Sequence, residues 1–134
     1  MRALHGLIAI ALSLASPALA EPEPPAPGSV AELSPAALHA KTLAGAAPLF
    51  DVRTPAEFAV AHVPGAINIS FDQIAARVAS IDSSQGVVLY CMVGPRARKA
   101  EAALVAAGFR GAIYHLEGGL AAWQAAELAV EPHR

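Results

Sequence analysis

The sequence predicts an α/β domain with a mainly parallel central sheet and helices on both of its faces. Three observations carry that expectation. Short apolar runs alternate with longer stretches in which apolar residues recur every three or four positions. Turn residues separate them at short intervals. The run "GVVLY" is apolar without interruption, as a strand covered on both faces requires.

The opening segment, "MRALHGLIAIALSLASPALA", stands apart from this pattern. Arg2 gives it a basic start, Leu7 to Ala15 an apolar centre, Pro17 a helix break, and Ala18 and Ala20 a small-residue cleavage site. Residues 1–20 therefore read as a cleavable secretory signal. The apolar stretch is shorter than the roughly 20 residues of a spanning helix, so no stable membrane insertion is expected after cleavage. The expected location is the periplasm, with secretion as the alternative. "EPEPPAPG" follows, too rich in proline for helix or ladder, and residues 21–29 read as a disordered spacer. The folded domain is expected over 30–134.

Within it, "SPAALHAKTLAG" offers Ser34 as an N-cap, Pro35 at the first helical position and Gly45 beyond the end, and predicts a helix. "PLFDV" is a buried strand, stopped at Arg53 and Thr54-Pro55. Thr54 and Glu57 have the spacing of a capping box, so a short helix begins at Pro55 and carries Phe58 inward. The chain turns at Pro64-Gly65 into a second strand over residues 66–69. Ser70, with Gln73 reaching back, is expected to cap a helix whose Ile74, Val78 and Ile81 share one face. "GVVLY" is the third strand. The helix after it presents Ala100, Leu104 and Ala107 until Gly108 ends it. "AIYHL" is a fourth strand, and "GLAAWQAAEL" a last helix with Leu120, Trp123 and Glu127 on one side.

The chain of 134 residues, 55% apolar, suits one domain with its own core. Its formal charge of -2 becomes one unit more negative when Arg2 is removed with the signal, which argues against nucleic acid as a partner. Cys91 is the only cysteine. In an oxidising compartment it has no intramolecular disulfide partner, and it cannot complete a zinc site of ordinary spacing. A lone buried cysteine used as core filling is the plain alternative.

The surroundings of Cys91 favour chemistry. It follows the strand "VVLY" and so lies at the carboxyl edge of the sheet, where ligands of open α/β sheets bind. "CMVGPRARK" then passes through a Gly94-Pro95 turn into a helix. Such a turn directs backbone N–H groups at a sulfur or a bound anion, while Pro95 contributes no donor. Cations and a helix N-terminus both favour the thiolate, and the loop offers both, with Arg96 the cation placed to fold over it or to grip an anionic substrate. Arg98 and Lys99 oppose the dipole of the helix they open, a misplacement that attraction of anions would explain; for Lys99 a solvated first turn suffices.

The blocks "LFDVRTPAEFAVAHVPGAINI", "VVLYCMVGPRARKAEAALVAAGF" and "HLEGGLAAW" resemble, in order, a single-domain rhodanese, a member of the sulfurtransferase family. The resemblance implies a central sheet of about five strands. It also implies a sulfur relay in which Cys91 takes the outer sulfur of a small anionic donor such as thiosulfate, holds it as a persulfide and passes it to cyanide or a thiol. The covalent persulfide is then the sole carrier, with no metal and no other cofactor. The N–H groups from Met92 through Val93 and Gly94 to Ala97 would cradle the outer sulfur, Arg96 would balance its charge, and Pro95 and Arg98 belong to the same loop. Asp51 and Arg53 match a D-x-R block whose implied work is to brace the loop, with direct substrate contact as the alternative. His62 and Gly65 match a second loop, where a turn held by side-chain hydrogen bonds is the plain alternative. Glu117, Gly118 and Gly119 match a closing turn, and Trp123 is expected in the core.

One departure from the family pattern concerns Ala97, where a serine or threonine is common; the missing hydroxyl bears on donor preference. Related folds in certain protein phosphatases and arsenate reductases carry a C-x5-R loop, whereas Cys91 to Arg96 is C-x4-R, a smaller cradle suited to a single sulfur atom. A persulfide carrier that docks to an exported partner protein is the competing function of another class.

Overall fold

The computed structural model describes residues 26–43, 47–82 and 84–133. The expected signal segment, the larger part of the spacer and the helix stop at Gly45 lie outside these residues. The elements are β1 (Val30–Leu33), α1 (Pro35–Leu43), β2 (Leu49–Asp51), α2 (Pro55–Val60), β3 (Ile67–Asn68), a 3₁₀ helix (Ile74–Ser80), β4 (Val87–Tyr90), α3 (Pro95–Ala106), β5 (Ile113–Leu116) and α4 (Gly119–Ala125). The strands form one sheet in the order β1-β5-β4-β2-β3, with every pair parallel. The α/β class and the parallel sheet are as the sequence predicts, and its five strands are as the family resemblance implies; the local pattern shows only four of them.

Strand periodicity divides the core into two layers. Val87 and Leu89 of β4 face one side with Phe50 and Val52, where Ala97, Ala100 and Leu104 of α3 and Ile74 of the 3₁₀ helix cover them. Val88 and Tyr90 face the other, covered by Leu38 of α1 and by Leu120 and Trp123 of α4. Both faces of β4 are sealed, which is why its sequence shows no polar alternation. β4 occupies the middle of the sheet, so the residue that follows it emerges from the centre of the carboxyl edge.

The fifth strand is β1, whose "VAEL" pairs with β5 from Val30 opposite Ile113 to Leu33 opposite Leu116. It is an edge strand with three exposed side chains, so it lacks the apolar run that marks β2, β4 and β5. The end of the spacer is structured: Ser29 N–H donates to Ala26 O at 3.0 Å, and Ile113 N–H donates to Ser29 O at 2.9 Å.

Two local expectations differ from the structure. Ser70 does not cap a helix through its side chain; its hydroxyl donates to Arg53 O at 3.3 Å, and the turn that follows is 3₁₀ with no side-chain cap at Gln73. Glu127 does not share the inner side of α4, because the helix ends at Ala125 and Glu127 is exposed with φ +59°. The Ser34 and Thr54–Glu57 caps form as their spacing predicts. Among the described residues no helix is long and apolar enough to cross a membrane.

Candidate active site

Cys91 continues the alternation of β4, so its side chain lies in the same layer as Val87 and Leu89 and faces α3. It is 1% exposed. Gly94 N–H donates to Sγ at 3.1 Å, so a backbone dipole points at the sulfur even though its other neighbours are apolar. That donor exists because the chain reverses at Gly94 with φ +138°, a conformation that side chains disfavour. Pro95 then starts α3 with its φ preset for a helix.

The other face of the loop is held by α4. Leu120 N–H donates to Cys91 O at 2.9 Å and Ala121 N–H to Met92 O at 3.0 Å, which satisfies two carbonyls with the unpaired donors of a helix start. The approach is so close that a Cβ on Gly119 would lie 2.6 Å from both carbonyl oxygens. The carbonyls of Cys91 and Met92 thus turn to the α4 layer while the thiol turns to the α3 layer.

Arg96 is engaged by Glu57 of α2. Its Nη1 donates to Oε2 at 2.7 Å and its Nη2 to Oε1 at 2.9 Å, a bidentate pair between partly exposed side chains. Oε2 also accepts from Thr54 N–H at 3.1 Å and Thr54 Oγ1 at 2.9 Å. The Arg96 hydrogen bond, aided by those from Thr54, outweighs desolvation and brings the Glu57 carboxyl down to about 2. Arg96 is correspondingly pushed up, chiefly by the Glu57 hydrogen bond, with Cys91 and Asp51 adding to it.

The remaining cations are also occupied. Arg98 pairs with Glu32 of β1 and, at 3.4 Å, with Glu101 of its own helix. Glu101 in turn meets the buried Nε2 of His115. Lys99 lies 5.6 Å from the centre of the Phe71 ring. Between Cys91 and Arg96 the side chains that reach solvent are apolar: Val93 is 61% exposed, Pro95 is exposed and Met92 partly so; Ala97 beyond them is buried.

Asp51 and Arg53 form a fully buried pair. Arg53 Nε donates to Asp51 Oδ1 and Oδ2 at 2.9 and 3.1 Å, and Nη2 donates to Oδ2 at 2.7 Å. Burial opposes the Arg53 charge, yet the hydrogen bonds and charge of Asp51 prevail and its pKa is raised. Arg53 Nη2 also donates to Ala61 O at 2.7 Å, at the end of α2. Asn68 Nδ2 donates to the carbonyls of Asp51 and Arg53, both at 3.0 Å, tying in β3. Tyr90 Oη donates to Asp51 Oδ2 at 2.9 Å and accepts Val63 N–H at 3.1 Å. Burial, reinforced by the Asp51 charge, raises the Tyr90 phenol far above its ordinary value. The pair therefore locks together three neighbouring strand ends, and reaches the loop through Tyr90, the residue before Cys91.

His62 is buried against Phe58, with ring centres 3.7 Å apart, and its Nδ1 lies 2.8 Å from Phe58 O. Its backbone exchanges hydrogen bonds with Glu131. Gly65 is an exposed turn residue with φ +82°. Glu117 is exposed and donates its N–H to Leu33 O at 2.9 Å, Gly118 takes a left-handed φ of +71° ahead of α4, and Trp123 is core. Sequence reasoning placed Glu57 in a helix cap and Tyr90 in a strand but assigned neither to the site. The signal for Glu57 was its carboxylate, which has acceptor capacity beyond what a cap uses. The signal for Tyr90 was a phenol in a sealed strand, which needs a buried partner.

Comparison with known proteins accords with this architecture. A family model described as the rhodanese-like domain matches residues 34–126. A sulfurtransferase of Allochromatium vinosum is 39% identical over 75 residues, covering 56% of this chain and 69% of that protein. A probable adenylyltransferase/sulfurtransferase of Mycobacterium tuberculosis is 40% identical over 77 residues, covering 56% of this chain but only 19% of that much longer protein. The crystal structure of a rhodanese-like domain protein from Staphylococcus aureus superposes with a TM-score of 0.65 at 28% identity, over 77% of this chain and 98% of that one. With residues 34–126, well over half of its length, matched by the family model, the chain belongs to the rhodanese-like family.

Proposed function

We propose that the protein is an exported sulfurtransferase that carries sulfane sulfur as a persulfide on Cys91. The Cys91 thiolate attacks the outer sulfur of a donor, for which thiosulfate is the simplest example. The donor S–S bond breaks and its electron pair leaves with sulfite. The outer sulfur, now bonded to Sγ, is then attacked by cyanide or a thiol, and Cys91 departs as thiolate. Gly94 N–H and the free amides at the start of α3 stabilise the sulfur that bears charge at each stage, as backbone donors do for anions elsewhere.

The observation that carries this reading is the 3.1 Å contact from Gly94 N–H to Sγ, made by a thiol at the carboxyl edge of the central strand. Membership of the family and a sulfurtransferase relative support it. Asp51 and Arg53 serve by fixing the strand ends, Arg96 by tying the loop to Glu57 of α2, and Met92, Val93, Pro95, Ala97 and Arg98 by shaping it. The signal-like sequence of residues 1–20 supports a periplasmic location.

Thiocyanate formation from thiosulfate and cyanide tests the proposal, with Cys91→Ser as control. Steady turnover that the substitution abolishes supports it; activity retained by Cys91→Ser overturns the nucleophile. The 1% exposure of Cys91 favours one second reading, a shielded persulfide carrier that hands sulfur to an exported partner protein. Stable labelling of Cys91 without turnover would decide for the carrier.

A further inference from the structure

Every arginine near the loop is paired with a carboxylate: Arg96 with Glu57, Arg98 with Glu32 and Glu101, and Arg53 with Asp51. The cation cluster that "PRARK" suggests is therefore electrically close to neutral where it flanks the thiol. The side chains at the loop surface, Met92, Val93 and Pro95, offer no hydrogen bond to an oxyanion. A doubly charged donor approaching Cys91 finds both terminal nitrogens of the Arg96 fork engaged by Glu57. The Glu57 charge also offsets the attraction that Arg96 would otherwise exert on it. That carboxylate is held by Arg96 and by Thr54, so displacing it breaks a bidentate ion pair.

We propose that Glu57 is the specificity-determining residue for the sulfur donor, selecting against dianionic oxyanion donors and in favour of organic persulfides, which carry at most a single charge. In the favoured reaction the Cys91 thiolate attacks the outer sulfur of R–S–SH. The S–S bond of the donor breaks, its electron pair leaves with R–S⁻, and Cys91 retains –S–SH. The leaving group is then a thiolate on an apolar or uncharged carrier, which Val93 and Met92 can face without an unpaired charge. This deepens the sulfurtransferase reading and rests on it.

Glu57→Gln is the appropriate variant, because glutamine at the third helical position preserves the capping box while removing the charge. Cys91 persulfidation is followed by mass spectrometry with thiosulfate and with 2-hydroxyethyl persulfide, in the wild-type chain and the variant. The expected result is an increase of about tenfold with thiosulfate, accompanied by a new suppression by salt, and less than about threefold with the persulfide. Equal changes with both donors would overturn the proposal and leave Glu57 as a positioning residue for Arg96. Alkylation of Cys91 by iodoacetate relative to iodoacetamide reads the same charge filter without sulfur chemistry. If that ratio rises in Glu57→Gln while neither donor loads the wild-type thiol, the filter stands and the sulfurtransferase reading falls. If both donors load Cys91 and neither ratio moves, the filter falls and the sulfurtransferase reading stands.

Discussion

The amide of Leu120 donates to the carbonyl of Cys91 at 2.9 Å, so the last helix of the fold fixes the peptide that carries the thiol. Gly119 makes this contact possible through a φ of +62° and the absence of a Cβ. Gly119→Ala places a methyl group 2.6 Å from two carbonyl oxygens in a left-handed conformation. The strained backbone alone costs roughly 1–3 kcal/mol. Urea denaturation is expected to show at least that loss, and Cys91 persulfidation to fall more than the loss of folded protein accounts for.

Tyr90→Phe removes the donor to Asp51 Oδ2 and the acceptor for Val63 N–H while keeping the ring in its layer. Asp51 Oδ2 keeps its bonds from Arg53, so the cost is chiefly that of one orphaned amide, about 1–3 kcal/mol. Asp51→Asn should cost more, about 3–5 kcal/mol, because the Arg53 charge stays buried without its counter-charge. Equilibrium denaturation of the two variants tests the order: Asp51→Asn is the less stable.

Glu57 confers an acid limb on stability. The Arg96 hydrogen bond holds its carboxyl at about 2 in the folded chain, below the ordinary 4.5 of a free glutamate, so the unfolded chain takes up the proton first. The contribution is fully present above 4.5 and is lost as pH falls towards about 2. Side chains as open as these give a modest effect. Denaturation midpoints measured through that window should drop less steeply in Glu57→Gln than in the wild-type chain.

His115 acts in a different window. Burial lowers its pKa below 6.5, and the hydrogen bond with Glu101 offsets this only in part. The unfolded chain therefore binds the proton more readily, and stability declines as pH drops below 6.5 towards the lower folded value. Above 6.5 the ring is neutral in both states and contributes no slope. In His115→Gln the decline just below 6.5 should be reduced while the limb belonging to Glu57 persists.

The fold was legible where local chemistry and burial agree. β4 reads as a strand because both its faces are sealed, and α2 because Thr54 and Glu57 form the cap their spacing announces. β1 was invisible for the opposite reason: an edge strand is specified by the backbone of its neighbour, and "VAEL" buries too little to show a pattern. At the site, Cys91 and its Gly94-Pro95 turn stood out as a local motif. The commitments of Arg96 and Arg98 did not, since Glu57 and Glu32 lie 39 and 66 residues away in sequence and only the packed strands bring them close. Charge in a sequence counts cations; structure decides which of them are free.

The dependence of the thiol peptide on α4 also orders events in time. A ribosome produces Cys91 well before Leu120 and Ala121, and β5, which separates β4 from β1, is made between them. A nascent chain that has emerged only as far as α3 holds the cysteine but not the amides that orient its carbonyl. If Cys91 carries sulfur as proposed, loading waits on completion of the domain, and chains truncated before α4 should not acquire a reactive thiol.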